Sequence, residues 1–284
     1  MPTFSTPSPI DLAINLAVGA IEIVASDRAD TVVTVSPTNP DKPVDRRGAT
    51  ETTVEFDGQR LTIKGPKPRI AVFGPNESVD LTVELPSGSR LAAELAVGNV
   101  YSRGRLGASR VKASTGQVEL DATGDLWVRA SHGNAVVSSA NGDVEIIADH
   151  GQIRLGTVSG DATLKASHGS VRIDAVGGDT EAKLSYGDLE IGSAGGSVTA
   201  KTAYGRIAID EVSSGSMQVE SGFGQVQIGV RAGVAAWLDV SSKEGRVRND
   251  LDGDSAPTGS EKSVAVRART QFGDIHIQRS EGKK

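Results

Sequence analysis

Apolar residues alternate with polar ones in short runs along most of the chain, and glycine punctuates the runs. Val118 and Leu120, Val144 and Ile146, Ile153 and Leu155, Val171 and Ile173, Leu189 and Ile191, and Ile207 and Ile209 are such pairs. Most follow a glycine in the pattern Gly-x-apolar-x-apolar. A period of two means a strand with one buried face. One series of turn glycines runs Gly98, Gly116, Gly133, Gly151, Gly169, Gly187, Gly205, Gly224 and Gly245, spaced by about eighteen residues. A second interleaves: Gly107, Gly124, Gly142, Gly160, Gly178, Gly196, Gly215 and Gly233. Neighbours in the merged list stand about nine apart. One unit is a strand of about five residues plus a corner, and two units close one coil.

This spacing predicts an all-β, single-chain β-solenoid with coils of about eighteen residues, each with two flat sheets. Hexapeptide helices divide eighteen into three sixes, whereas this chain divides it into two nines. Coils stack through parallel ladders about 4.8 Å apart. Residues 94–248 carry the rhythm. Residues 1–93 form strands without it and are expected to cap the stack, with a Pro-rich, charged loop at 37–48. Residues 249–284 are expected to hold a loop excursion and a closing strand, Phe272-Gly273-Asp274-Ile275-His276-Ile277. Almost no helix is expected.

Composition follows from this plan. Of 284 residues, 34 are glycine and only 4% are aromatic. The core must therefore use small and β-branched side chains, which suit strands. The absence of cysteine removes disulfides and thiolate metal sites. A net charge of −6 argues against a nucleic-acid groove. No run approaches the roughly 18 apolar residues of a membrane helix. The N-terminus has no basic n-region, so a cytoplasmic location is expected.

Solenoid geometry turns spacing into columns. The position before the first glycine series reads Thr115, His132, His150, His168, Tyr186, Tyr204, Phe223, Glu244. It is a candidate binding column: His132, His150, His168, Tyr186 and Tyr204. Neighbouring imidazoles could share a metal ion or respond to pH. The plainer reading is an aromatic stack that stiffens one edge. The residue after the second glycine series reads Asp125, Asp143, Asp161 and Asp179, a candidate cation column. Asp beside Gly is also ordinary turn chemistry. The β-roll signature Gly-Gly-x-Gly-x-Asp is not matched, since each unit has one glycine. The outward positions Glu119, Val136, Arg154, Arg172, Glu190, Ala208 and Gln227 suggest a solvated face. Trp127 faces outward and is expected to pack under the N-terminal cap. Trp237 is expected to plug the C-terminal end. Lys64, Lys67 and Arg69 form a small basic loop, too sparse for a phosphate cradle.

The repeated SxGxVxI units, together with GAIEIVASDRADTVVTV, SVDLTVELPSGS and VAVRARTQFGDIHIQRS, resemble the bacterial β-strand-repeat family of putative adhesins, also called the toastrack domain. The resemblance covers nearly the whole chain. It implies a β-solenoid without catalytic residues or cofactor, in a family often attached to membrane segments and linked to envelope-stress systems. No Gly-x-Ser-x-Gly elbow, His-Glu-x-x-His pair or dinucleotide fingerprint occurs. The expected function is a non-enzymatic interaction or scaffold protein, binding a protein or envelope-associated partner through its flat faces. A polymerising structural solenoid, with the chain as a homo-oligomer, is the alternative. So is a cation- or carbohydrate-binding solenoid using the His and Asp columns.

Overall fold

The computed structural model describes residues 1–66, 77–251 and 263–280. The chain is a β-solenoid of parallel coils, organised as two compact units, Met1–Asn141 and Gly142–Lys284.

In the first unit two strands of 16 residues, Asp11–Ser26 and Arg90–Arg105, each run through a complete coil. They pair in parallel over most of their length, from Asp11 opposite Arg90 to Val24 opposite Arg103. Ser109–Thr115 and Val118–Thr123 follow as the next coil, then Leu126–His132 and Ala135–Ala140. The coil register therefore begins at Asp11, well before residue 94. The non-repetitive part is an insertion between the two long strands. Within it Asp30–Pro37 pairs antiparallel with Val79–Pro86, and Thr53–Phe56 with Arg60–Lys64; Asp30–Pro37 also pairs antiparallel with Thr3–Ser5, which precedes the first long strand. These reversals end the parallel ladder and cover its exposed edge.

The expected loop at 37–48 is in part a helix, Pro43–Glu51. Its pattern carries no apolar stripe, so hydrophobic periodicity could not reveal it. Proline at its start is pre-set for a helical turn. Asp45, 3% exposed, accepts backbone N–H bonds from Asn39 and Ser78, and Arg47 pairs with Glu77 at 2.6 Å. Polar contacts to Asn39, Glu77 and Ser78, beside the strand ends, hold this helix.

In the second unit one sheet stacks Val144–His150, Ala162–His168, Thr180–Tyr186, Val198–Tyr204 and Gly215–Phe223. The other stacks Ile153–Val158, Val171–Val176, Leu189–Ala194, Ile207–Val212 and Val226–Val230. Inward residues such as Ile146, Leu164, Ile153 and Ile209 are buried, each contributing about 1.5–3 kcal/mol. Sequence order then departs from stacking order. Ser263–Phe272 and Ile275–Arg279 insert next to Gly215–Phe223 and Val226–Val230. The earlier strands Ala235–Glu244 and Val247–Asp250 lie outside them as the last coil. The closing strand expected at the end is therefore internal. Trp237 does not plug an end: it is 71% exposed on that outer strand.

The corners explain the glycines. Gly169 has φ +144, and a Cβ built there would lie 1.8 Å from the carbonyl oxygen of Gly151 in the coil below. Its N–H donates to Tyr186 O in the coil above, at 2.9 Å. Gly169→Ala is expected to cost at least about 2 kcal/mol in urea unfolding. Gly233→Ala, with φ +78 and nothing within 4 Å, should cost roughly 1 kcal/mol. Equal losses at the two sites would refute the corner argument.

The outer coil is tied by charge. Asp239 is held below the usual carboxylate range by its hydrogen bond to Arg269, and Asp250 by hydrogen bonds to Arg248 and then His276. A depressed carboxyl stabilises above its unfolded value and loses that contribution as pH falls through the folded one. Protection of 235–250 against hydrogen exchange, corrected for intrinsic rates, should be flat above about pH 5 and fall below about pH 4. Unchanged protection at pH 3 would contradict this.

Candidate functional site

The parallel register places each residue before a corner glycine directly over its counterpart. In the first unit this column is Val97, Thr115 and His132. In the second it is His150, His168, Tyr186, Tyr204, Phe223 and then Phe272, with Glu244 outermost. Phe272 was not assigned to the column from sequence, because the inserted coil was read as the end of the chain. Its Phe-Gly-Asp frame, shared with Tyr186-Gly-Asp, was the available signal.

The six rings of the second unit form one continuous stack. Successive centroids lie 4.8, 5.1, 4.9, 4.8 and 4.7 Å apart, with interplanar angles between 2° and 12°. Strand spacing sets this repeat. Ring faces are occupied by neighbouring rings, so the edges face solvent. Tyr186, Tyr204, Phe223 and Phe272 are each 43–49% exposed. The stacked His150 and His168 rings are nearly parallel, with an interplanar angle of 12°. A zinc ion would need both nitrogens to converge on a point about 2.0–2.1 Å from each. Among the described residues no group of three or more His, Asp or Glu is arranged to hold a metal ion.

The carboxylate column has a different geometry. Asp143 Oδ1 accepts the backbone N–H of Asp161 at 2.9 Å, Asp161 that of Asp179 at 2.8 Å, and Asp179 that of Ser197 at 2.7 Å. Each aspartate thus caps the corner of the next coil. The glycine before the next aspartate makes room: a Cβ on Gly160 would lie 2.2 Å from Asp143 Oδ1. The Gly-Asp dipeptide is one device in two parts. Asp125, in the first unit, occupies the same frame after Gly124. The opposite corner repeats the device with Asn99 to Gln117 N, Asp188 to Arg206 N and Asp274 to Arg246 N.

The outward faces of the second unit are laced with ion pairs: Lys183–Glu181, Lys201–Glu220, Arg172–Glu190 and Arg231–Glu211. The Lys183 hydrogen bond holds Glu181 below its usual range. Exposed pairs of this kind contribute about 0–1 kcal/mol each. Glu119, Arg154 and Arg172 are exposed as the alternation requires, but Ala208 is 4% exposed because it is short. In the first unit Trp127 is outward and half-buried, with the Arg110 guanidinium 3.6 Å above its ring. Lys67 and Arg69 lie outside the described residues, as do residues 252–262 of the expected excursion.

The family described as Toastrack DUF4097 matches residues 10–278. No curated protein matches the chain. Solved structures similar to it include a putative cell adhesion protein from Clostridium sporogenes (12% identity, 98% of each chain, TM-score 0.21). Another is a putative adhesin from Bacteroides fragilis (11% identity, 97% of this chain and 95% of that one, TM-score 0.35). A third is a putative lipid binding protein from Parabacteroides distasonis (12% identity, 97% and 95%, TM-score 0.42). Among the described residues no helix is long and apolar enough to cross a membrane.

The caps make a direct prediction. Asp161→Ala leaves the Asp179 N–H without its acceptor and should cost about 1 kcal/mol. Asp161→Asn keeps the acceptor and removes like-charge repulsion along the file, so its Tm should equal or exceed that of the parent. A loss for Asn as large as for Ala, read by thermal melting, would show that the charge itself is required.

Proposed function

The chain belongs to the Toastrack family, and from that premise we propose that it is a non-enzymatic interaction module. It binds a protein partner through the exposed ring file, which runs along the edge of its flat outer faces. The observation that carries this reading is the run of half-exposed rings from Tyr186 to Phe272. Contiguous exposed apolar surface is uncommon unless a partner covers it, and aromatic residues are enriched at interface cores. Ion-paired faces on either side supply a polar rim.

Perturbed ionisation elsewhere supports a binding role over catalysis. The displaced groups are surface ion pairs, such as Arg28 with Asp30 and Arg90 with Asp11, or a turn carboxylate, Asp57, held low by the Arg60 and Gln59 N–H groups. These are structural causes, not the pairing of acid and base in a cleft.

A photo-crosslinking residue in place of Tyr204 tests this in the native cell. One discrete heterologous adduct is expected, absent when the same residue replaces Thr163, and lost when Tyr186 and Phe223 are both changed to Ser with the fold retained by melting. Adducts of the chain with itself alone would overturn the reading in favour of a polymerising solenoid. Identical patterns from positions 163 and 204 would also overturn it.

A further inference from the structure

A second surface, wholly within the first unit, does not use the ring file. Four strands lie side by side there: Arg60–Lys64, the start of Asp11–Ser26, the start of Arg90–Arg105, and Ser109–Thr115. Their outward positions fall in rows. One row reads Thr62, Ala13, Ala92, Arg110, and the next Lys64, Asn15, Glu94, Lys112. The two central strands carry short side chains at Ala13 and Ala92, and the flanking strands carry long cationic ones. The result is an open trough of about 500 Å³. It is walled by Arg60 and Lys64 on one side and by Arg110 and Lys112 on the other. The walls stand three strand spacings apart, about 14 Å.

What sets this spot apart is the clustering of its cations: among the described residues the side chains of Arg154 and Arg206 in the second unit also contact only amides, but they stand singly. Outward cations of the second unit, such as Lys183, Lys201, Arg267 and Arg269, are paired with carboxylates. In the first unit Arg28, Arg47 and Arg90 are paired as well. Among the described residues Lys64, Arg110 and Lys112 make no such pair. The lining holds four cations and one carboxylate, Glu94, on a chain whose net charge is −6, although Arg60 also interacts with Asp57 outside it. Arg110 is also pre-positioned. Trp127, on the strand beyond, lies against its guanidinium on the side away from Ala92, and guanidinium N–H groups can still take a bidentate acceptor.

We propose that this trough binds an acidic oligosaccharide, a hydroxyl-rich chain with widely spaced carboxylate or sulfate groups. The wall cations take the acidic groups. Asn15, Thr62 and Glu94 offer donors and acceptors to hydroxyls, and the Ala13 and Ala92 methyls form a flat apolar floor for the C–H faces of sugar rings. Glu94 stands in the middle of the trough and opposes a densely charged polymer such as a nucleic acid. The floor is recessed between the walls, so a flat bilayer surface reaches only the rims. The volume lies within the range of about 300–1,000 Å³ usual for ligand sites.

The test is isothermal titration of the full chain with a polygalacturonate-derived hexasaccharide and a heparin-derived hexasaccharide. Maltohexaose, poly-glutamate, a single-stranded oligonucleotide and anionic phospholipid vesicles are titrated alongside. At least one acidic hexasaccharide should bind, more weakly as salt is raised. Its affinity should drop at least about tenfold in the double variant Lys64→Gln, Lys112→Gln. Ala92→Phe, which fills the floor and leaves every charge in place, should abolish binding. Thermal melting of both variants reports that they are folded. Glu94→Gln should tighten the oligonucleotide more than the oligosaccharide. Binding of neither acidic hexasaccharide would overturn the proposal. So would equal binding of maltohexaose, or stronger binding of poly-glutamate, oligonucleotide or vesicles by the parent chain. The double variant leaves the ring file untouched, so loss of the oligosaccharide with retention of the position-204 adduct separates this site from the proposed protein contact.

Discussion

The corner at which one coil passes over the next governs the rest of this structure. Parallel strands sit about 4.8 Å apart, and the chain must turn within that height. At the first corner series the glycine N–H reaches the carbonyl of the residue before the glycine in the next coil, as Gly151 does to His168 and Gly205 to Phe223. No Cβ can be accommodated there, since it would meet the carbonyl of the glycine below. The corner therefore locks register as well as direction. Once register is locked, the residue before each glycine must stack on its counterpart, and the ring file follows without any separate cause. The same logic produces the aspartate caps, in which each carboxylate lies over a neighbouring glycine and holds the next turn.

What could be read from the sequence follows from how local each feature is. The nine-residue rhythm is local, so the coils, their buried faces and the membership of both columns were legible between Gly98 and Phe223. The helix at Pro43–Glu51 was not, because its buried side is Asp45 and Gly48 and its anchors come from Asn39 and Ser78. Nor was the order of the last two coils, since both segments satisfy the same rhythm. The deciding difference lies in inward positions. Val264, Val266, Ala268, Ile275 and Ile277 can be covered on both sides, whereas the segment ending at Asp250 offers Asn249 and a half-exposed Val247. The more polar coil takes the outside. The corner role of aspartate was anticipated as turn chemistry, but its hydrogen bond reaches the next coil and not its own.

The trough was hidden for a related reason. Its walls come from residues near 60, 64, 110 and 112, and its floor from residues near 13 and 92. No window of sequence contains it. It arises because the insertion between the two long strands returns one strand, Arg60–Lys64, to the edge of the parallel sheet. Within the repeat several outward cations find a carboxylate on their own strand or one coil away, as Lys183, Lys201 and Arg172 do. Where a non-repetitive strand joins the sheet, that pairing fails and unmatched charge collects. A repeat architecture thus gains a chemically distinct spot at the boundary of the repeat.

The two surfaces should also differ in how they recognise. An extended peptide repeats its side chains on one face at about 6.8 Å, while the ring file repeats at 4.7–5.1 Å. The two periods are not commensurate, so a strand laid along the file cannot match ring for ring. Each ring face is also already occupied by its neighbour, which leaves only edges for contact. The file consequently acts as a continuous apolar band, in which binding energy is distributed and no single ring is decisive. The trough works in the opposite way. Its charges are few, separated and directional, and Arg110 rests against Trp127. Loss of one or two groups there removes a defined contact, whereas loss of one ring from the file leaves the band interrupted but present.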